Sequence, residues 1–208
     1  MTHTLYETIQ KIVQDELKCI KTAQLAIVEE QHPHADESDS DNYACTIALR
    51  DSGIVLKNVP VATSKIGNVS IPAVGDMVMV QFIGGDINAP IITGCLYNDE
   101  ARPPPNDDSQ IIMHHPQGAE DSDATRIEIL SGPEKRMVIK LGDALELNLA
   151  DDDPVVEIKV DGGKGNLTIA RDGAVLVQSD GKIEIKGNEI NIEAQAGLKL
   201  KGQTIDLN

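Results

Sequence analysis

Aromatic side chains are almost missing: one Phe, three Tyr and no Trp in 208 residues. Aromatics usually supply much of a compact core's buried area, so their absence disfavours a large globule and favours an extended architecture of Val, Ile and Leu. Cysteine is also scarce. Cys19, Cys45 and Cys95 are far apart and form no CxxC pair, which speaks against a zinc knuckle or a disulfide framework and for reduced, partly buried thiols made in a cytosol. No apolar run approaches the ~18 residues of a membrane span. The N-terminus lacks a signal peptide's basic start and apolar centre. Positive charge is the last shortage: 18 basic residues face 34 acidic ones, for a net charge of −16. Such a surface repels phosphate backbones, so no nucleic-acid partner is expected. It also keeps a strand-rich protein soluble.

What is present falls into four segments. Residues 1–21 carry a helical pattern in which Leu5, Ile9, Ile12, Val13, Leu17 and Ile20 recur at three- and four-residue steps on one face. Thr4 followed by Glu7 has the spacing of a capping box, so the helix starts near Thr4. A helix this short is marginal alone in water, and its stripe must dock on its own chain, on sister copies or on a partner.

Residues 22–101 read as short strands. Ala23, Leu25 and Ile27 alternate, as do Tyr43, Cys45, Ile47 and Leu49, and Asp51-Ser52-Gly53 turns the chain into another strand at 54–61. MVMVQFI (77–83) is apolar on both faces, as suits a central or barrel strand. Gly84-Gly85-Asp86 turns into APIITGCLY (89–97). About five strands with Gly and Pro punctuation predict a small antiparallel barrel. Residues 102–125, opening on three consecutive prolines, read as a stiff linker.

From 126 to 208 there is no helical pattern. Short alternating runs recur instead, among them Met137/Ile139/Leu141, Leu145/Leu147/Leu149 and Val156/Ile158/Val160, separated by turn signals such as Asp161-Gly162, Asp172-Gly173 and Asp180-Gly181. The last stretch places Ile183, Ile185, Ile190, Ile192, Leu198, Leu200, Ile205 and Leu207 in alternation. A flat meander is the first rival reading, but it would leave one apolar face and two edges uncovered. A single-chain β-helix usually shows a stricter period. Narrow runs with frequent kinks suit an intertwined, three-chain β-helix or prism, with those eight residues forming the trimer core.

Residues that carry chemistry are sparse. His32-Pro33-His34 has ligand-like spacing, but it sits in a polar loop off any symmetry axis, and His114-His115 borders the linker. The carboxylate pairs Asp107-Asp108 and Asp151-Asp152-Asp153 lie in no apolar pocket. A glycosidase needs such a cleft, and a solvated turn accounts for the second run better than a Ca²⁺ site. No catalytic, cofactor or metal residue is assigned.

The stretch IPAVGDMVMVQFIGGDINAPIITGCLYNDEARPPP (71–105) resembles the oligonucleotide/oligosaccharide-binding (OB) type barrel of contractile-tail spike proteins, the phage baseplate V family and the valine-glycine-repeat spikes of type VI secretion. The matching residues are Pro72, Gly75-Asp76, Phe82, Gly85-Asp86, Pro90, Gly94, Leu96-Tyr97-Asn98 and the proline run. The fold class expected is mainly β: an N-terminal amphipathic helix, an OB-type barrel and a C-terminal trimeric β-helix. The resemblance implies a homotrimeric, non-enzymatic spike that pierces a target cell membrane. It implies assembly in a bacterial host cytoplasm and residence in a virion tail baseplate or a related particle.

Some relatives carry a lysozyme domain between barrel and prism, and the linker is far too short for one. Type VI spikes fuse a hub domain in front. Here the hub is expected to be a separate protein, with Leu5, Ile9, Ile12, Val13 and Leu17 docking on it. Several short spikes hold an iron ion near the apex through His-x-His. No histidine follows His115, so Leu207 and Asn208 are expected to form a platform for a separate PAAR-like tip protein. The alternative reading is a β-helix fibre that binds or degrades polysaccharide.

Overall fold

The computed structural model describes residues 4–19 and 22–206. The chain is mainly β, with one N-terminal helix and two antiparallel sheets, and divides into two compact units, 1–105 and 106–208.

Helix α1 spans Leu5–Cys19. The predicted capping box forms: the Thr4 N–H donates to Glu7 Oε2 at 2.9 Å, and the Glu7 N–H donates to Thr4 Oγ1 at 3.4 Å. Ile20, the end of the predicted stripe, lies outside the described residues, as does the side chain of Leu17.

The first sheet contains β1 (Ala23–His32), β2 (Ala44–Leu49), β3 (Val55–Pro60), β4 (Met77–Phe82) and β5 (Pro90–Leu96), in the order β3-β2-β1-β4-β5. Its two outer strands approach each other. Val61 bridges Ile92 in parallel, and the Ala62 N–H donates to the Ile92 carbonyl at 2.8 Å. Ten buried side chains fill the interior, with Ile47, Leu49, Ile92, Val28, Val59, Val78 and Val80 the largest that are fully buried. Phase is corrected in β1. The alternating set Ala23, Leu25, Ile27 is at least partly exposed, and Ala26 and Val28 are the buried pair.

The glycines of the motif stretch sit where a side chain is costly. Gly75 (φ +94°), Gly84 (φ +62°) and Gly85 (φ +79°) take left-handed backbone in the turns on either side of β4. The Ala73 N–H donates to Asp76 Oδ2 at 2.8 Å, which ties off the first turn. A register shift opposite Met79/Val80, where Gly94 and Ile92 are the successive partners, is the bulge that Gly94 predicts.

The second sheet is a seven-stranded meander in sequential order. Its strands are β6 (Gln110–His115), β7 (Thr125–Ser131), β8 (Lys135–Leu141), β9 (Leu145–Ala150), β10 (Val156–Val160), β11 (Gly165–Ile169) and β12 (Val175–Ser179). β6 lies within residues 102–125, which the proline run marks as linker. It joins the sheet because Ile111 and Met113 alternate and find Ile129 and Ile127 opposite them. Within one chain the pairing from 110 to 179 is therefore that of the meander. Residues 180–206 carry no regular secondary structure.

Candidate assembly surfaces

Side chains two apart on a strand share a face, and an unbroken register carries that face across a sheet. Two apolar rows result in the second unit. One runs Ile111, Ile129, Met137, Leu149, Val156, Ile169, Val175, and the other Met113, Ile127, Ile139, Leu147, Ile158, Leu167, Val177. Fourteen consecutive ladder positions are thus apolar on one face. An open depression of about 560 Å³ lies at one end of it, lined by Ile129, Met137 and Leu149, with Lys135 and Arg136 at its margin.

The opposite face is polar and largely self-neutralised. A ladder of His114, Arg126, Lys140, Glu146, Lys159, Asn166 and Gln178 crosses it. Arg126 pairs with Glu128 at 2.9 Å, Lys140 with Glu146 at 3.4 Å and Lys159 with Glu157 at 2.9 Å. Arg136 Nε donates to Asn148 Oδ1 at 2.7 Å. Val138, the most buried large side chain of this unit among the described residues, lies beneath these stems. On the apolar face Ile111, Met113, Leu149, Val175 and Val177 are exposed and the other row residues half-buried, while on the polar face the buried Asn166 Oδ1 has no hydrogen-bond partner among the described residues.

The eight predicted core residues lie in the tail beyond β12. Ile183, Ile185, Ile190, Ile192, Leu198, Leu200 and Ile205 are all 47–70 % exposed within one chain, and Leu207 lies outside the described residues. Asn208, the other half of the expected tip platform, lies outside them too. On α1, Leu5, Ile9, Ile12 and Val13 are 50–78 % exposed. The structure keeps both sets at the surface and brings neither together with another element.

The groups weighed for chemistry have structural partners. His32 Nε2 and Thr46 Oγ1 share a hydrogen bond at 2.8 Å, and His34 Nδ1 pairs with Asp39 Oδ1 at 2.9 Å, so the two rings are engaged separately. The Asp36 backbone N–H and the His34 ring hold the Asp39 carboxyl at about 2. Arg171 ties down the acidic run at 151–153: its Nη2 donates to the Asp151 carbonyl at 2.8 Å and to Asp151 Oδ1 at 2.7 Å, and its N–H donates to Asp153 Oδ1 at 2.9 Å. No sequence pattern pairs Arg171 with a loop 20 residues earlier. Cys45 is buried, and burial raises its thiol, which keeps it protonated and a poor nucleophile.

Comparison with known proteins locates the resemblance. Residues 52–97 match the type VI secretion system/phage-baseplate injector OB domain. Over 40 residues the chain is 50 % identical to the type VI secretion system spike protein VgrG5 of Pseudomonas aeruginosa, a match spanning 19 % of this chain and 5 % of that protein's length. The likeness to the phage baseplate V and VgrG OB-domain family thus lies in the first unit, where residues 52–97 carry β3, β4, β5 and the left-handed glycines 75, 84 and 85.

Proposed function

We propose that this chain is the central spike of a contractile injection machine, a phage tail or a related particle. It acts as a homotrimeric needle driven through the target cell envelope when the sheath contracts, without catalysis. The observation that carries this reading is the fourteen-residue apolar face that one chain leaves partly or wholly exposed, in a protein whose residues 52–97 match an injector OB domain. Three such sheets set face to face enclose a dry core and turn the ion-paired faces outward.

In this reading the first sheet is a small OB-type barrel, closed where Val61 meets Ile92. The second unit is the shaft, beginning at β6. Its mechanism is stiffness, because bending a continuous ladder around a packed core breaks several hydrogen bonds at once. The exposed stripe of α1 docks on a separate baseplate hub. The reading is supported by where hydrophobic surface lies, and a reactive group plays no part in it.

Mass in solution tests it. The expected result is three times the 22.4 kDa chain mass, by light scattering or sedimentation at micromolar concentration. A stable single-chain mass overturns it.

A further inference from the structure

We infer that the loop of residues 62–70, between β3 and β4, is a docking surface of the first unit, shaped for a separate protein that presents an apolar cleft rimmed by carboxylates. The inference stands apart from the trimeric reading and from the stripe on α1.

Charge marks the place. Residues 52–75 contain Lys57 and Lys65 and not one Asp or Glu, and no other acid-free stretch of the chain exceeds 12 residues. In a protein of net charge −16, this is where an incoming carboxylate meets least repulsion and finds two ammonium groups. Apolar exposure marks the same place. Ile66 is 91 % exposed and Val69 81 %, more than any other large hydrophobic among the described residues.

The loop nevertheless has a fixed shape. Val61 and Ile71, at its two ends, pack on the buried cluster of the first sheet. The Asn68 N–H donates to the Lys65 carbonyl at 3.0 Å, with Gly67 at φ +99°, so residues 65–68 form a tight turn with Ile66 at its tip. Thr63 Oγ1 donates across that turn, 3.1 Å from the Lys65 carbonyl and 2.9 Å from that of Asn68. The Ser70 N–H donates to the Tyr43 hydroxyl at 2.7 Å. Tyr43 itself holds φ +57°, which bulky residues rarely adopt, so this clamp is kept against backbone strain. An apolar tip fixed before it meets a partner loses little freedom on binding, and that is how a recognition loop gains affinity.

A separate acidic protein is the occupant that fits. The acidic loop at 33–42 of a sister copy carries only Pro33 and Ala35 among its polar residues, too little apolar surface to receive Ile66. A bilayer or a nucleic acid fits less well. Residues 52–75 include no aromatic side chain to sit at a membrane interface or stack on a base, and anionic lipid and phosphate backbones both repel a chain of this charge.

Panning a random peptide library on the immobilised full-length chain tests this, with Ile66→Ser and Lys65→Glu as controls. Enriched peptides are expected to combine Leu, Ile or Val with Asp or Glu, and to bind each variant roughly tenfold more weakly. Tyr43→Phe, which removes the oxygen that holds Ser70, should weaken the same peptides by a smaller factor. No enrichment, or peptides that bind the variants as well as the parent chain, overturns the surface, and enrichment of basic peptides overturns its chemistry. Vesicles of phosphatidylglycerol and phosphatidylcholine, and mass in solution, supply the other two arms. Vesicle binding that disappears in Ile66→Ser would assign the loop to lipid, and a fall in mass in that variant would assign it to a sister copy. Either result overturns the proposal.

Discussion

The two units use the same few side chains to opposite ends. In the first, Ala26, Val28, Cys45, Ile47, Leu49, Val59, Val78, Val80, Phe82 and Ile92 bury one another, because the sheet brings its outer strands together around them. In the second, only Ala124 and Val138 are buried hydrophobics among the described residues, although its strands are longer in total and carry as many apolar residues. The difference is one of closure. A sheet that curls until its edges meet hides its apolar face within one chain, while a sequential meander of seven strands exposes one face however good its ladder is. The first sheet thus hides its apolar side chains within one chain, and the second leaves its own partly exposed.

Placing a charge on the open side should break this contrast most severely. In the trimeric reading Ile190→Asp would put like charges close together in a dry interior, where each costs several kcal/mol. Assembly is expected to be lost, with the mass falling to that of one chain, while the NMR or circular dichroism signature of the first unit persists. An intact trimer in this variant would show that the inward face is misassigned.

The reciprocal change lies in the closed unit. Ile47 is fully buried, and Ile47→Ala should cost about 2–5 kcal/mol of that unit's stability. Denaturant unfolding followed by a first-unit probe should shift to a lower midpoint, with oligomeric mass under native conditions unchanged. If both units weaken together, the separation drawn here between them fails.

Helix α1 belongs to neither sheet. Thr4→Ala removes the capping box and should lower helix stability by about 1 kcal/mol, visible as lower helicity of residues 4–16 in chemical shifts. Neither the unfolding midpoint of the first sheet nor the mass should move, and an effect on either would tie α1 to the rest of the protein.

The smallest expected effect is on the loop after β1. Asp39 is held at about 2 against its usual 3.8. A carboxyl depressed by folding contributes stability that is present above pH 3.8 and lost as pH falls through about 2. The loop amides of Ala35 and Asp36, which donate to Asp39, should therefore titrate near pH 2. A midpoint near 3.8 would mean that these bonds do not persist in solution.

Several of these features are readable from local sequence, for reasons that differ by residue. The Thr4/Glu7 box needs only a three-residue spacing, and it forms. Gly75, Gly84 and Gly85 announce turns because left-handed backbone excludes most side chains, and Gly94 lies beside the bulge. The phase of β1 is less legible: 23/25/27 and 26/28 are both apolar sets, and only contact with β2 and β4 selects the second. β6 is hidden by three prolines and an acidic run immediately before it, and what recruits Ile111 and Met113 is a strand 15 residues later. The tie from Arg171 to Asp151 and Asp153 has no local signature at all.

Taken alone, the sequence determined the periods, the caps, the turns and the resemblance at 71–105, all of which depend on residues a few positions apart. Tertiary structure decided which of two apolar faces is buried and where the second sheet begins. Those choices depend on register and closure, which are set by strands tens of residues away, and a hydrophobic pattern specifies that a face must be covered without specifying by what.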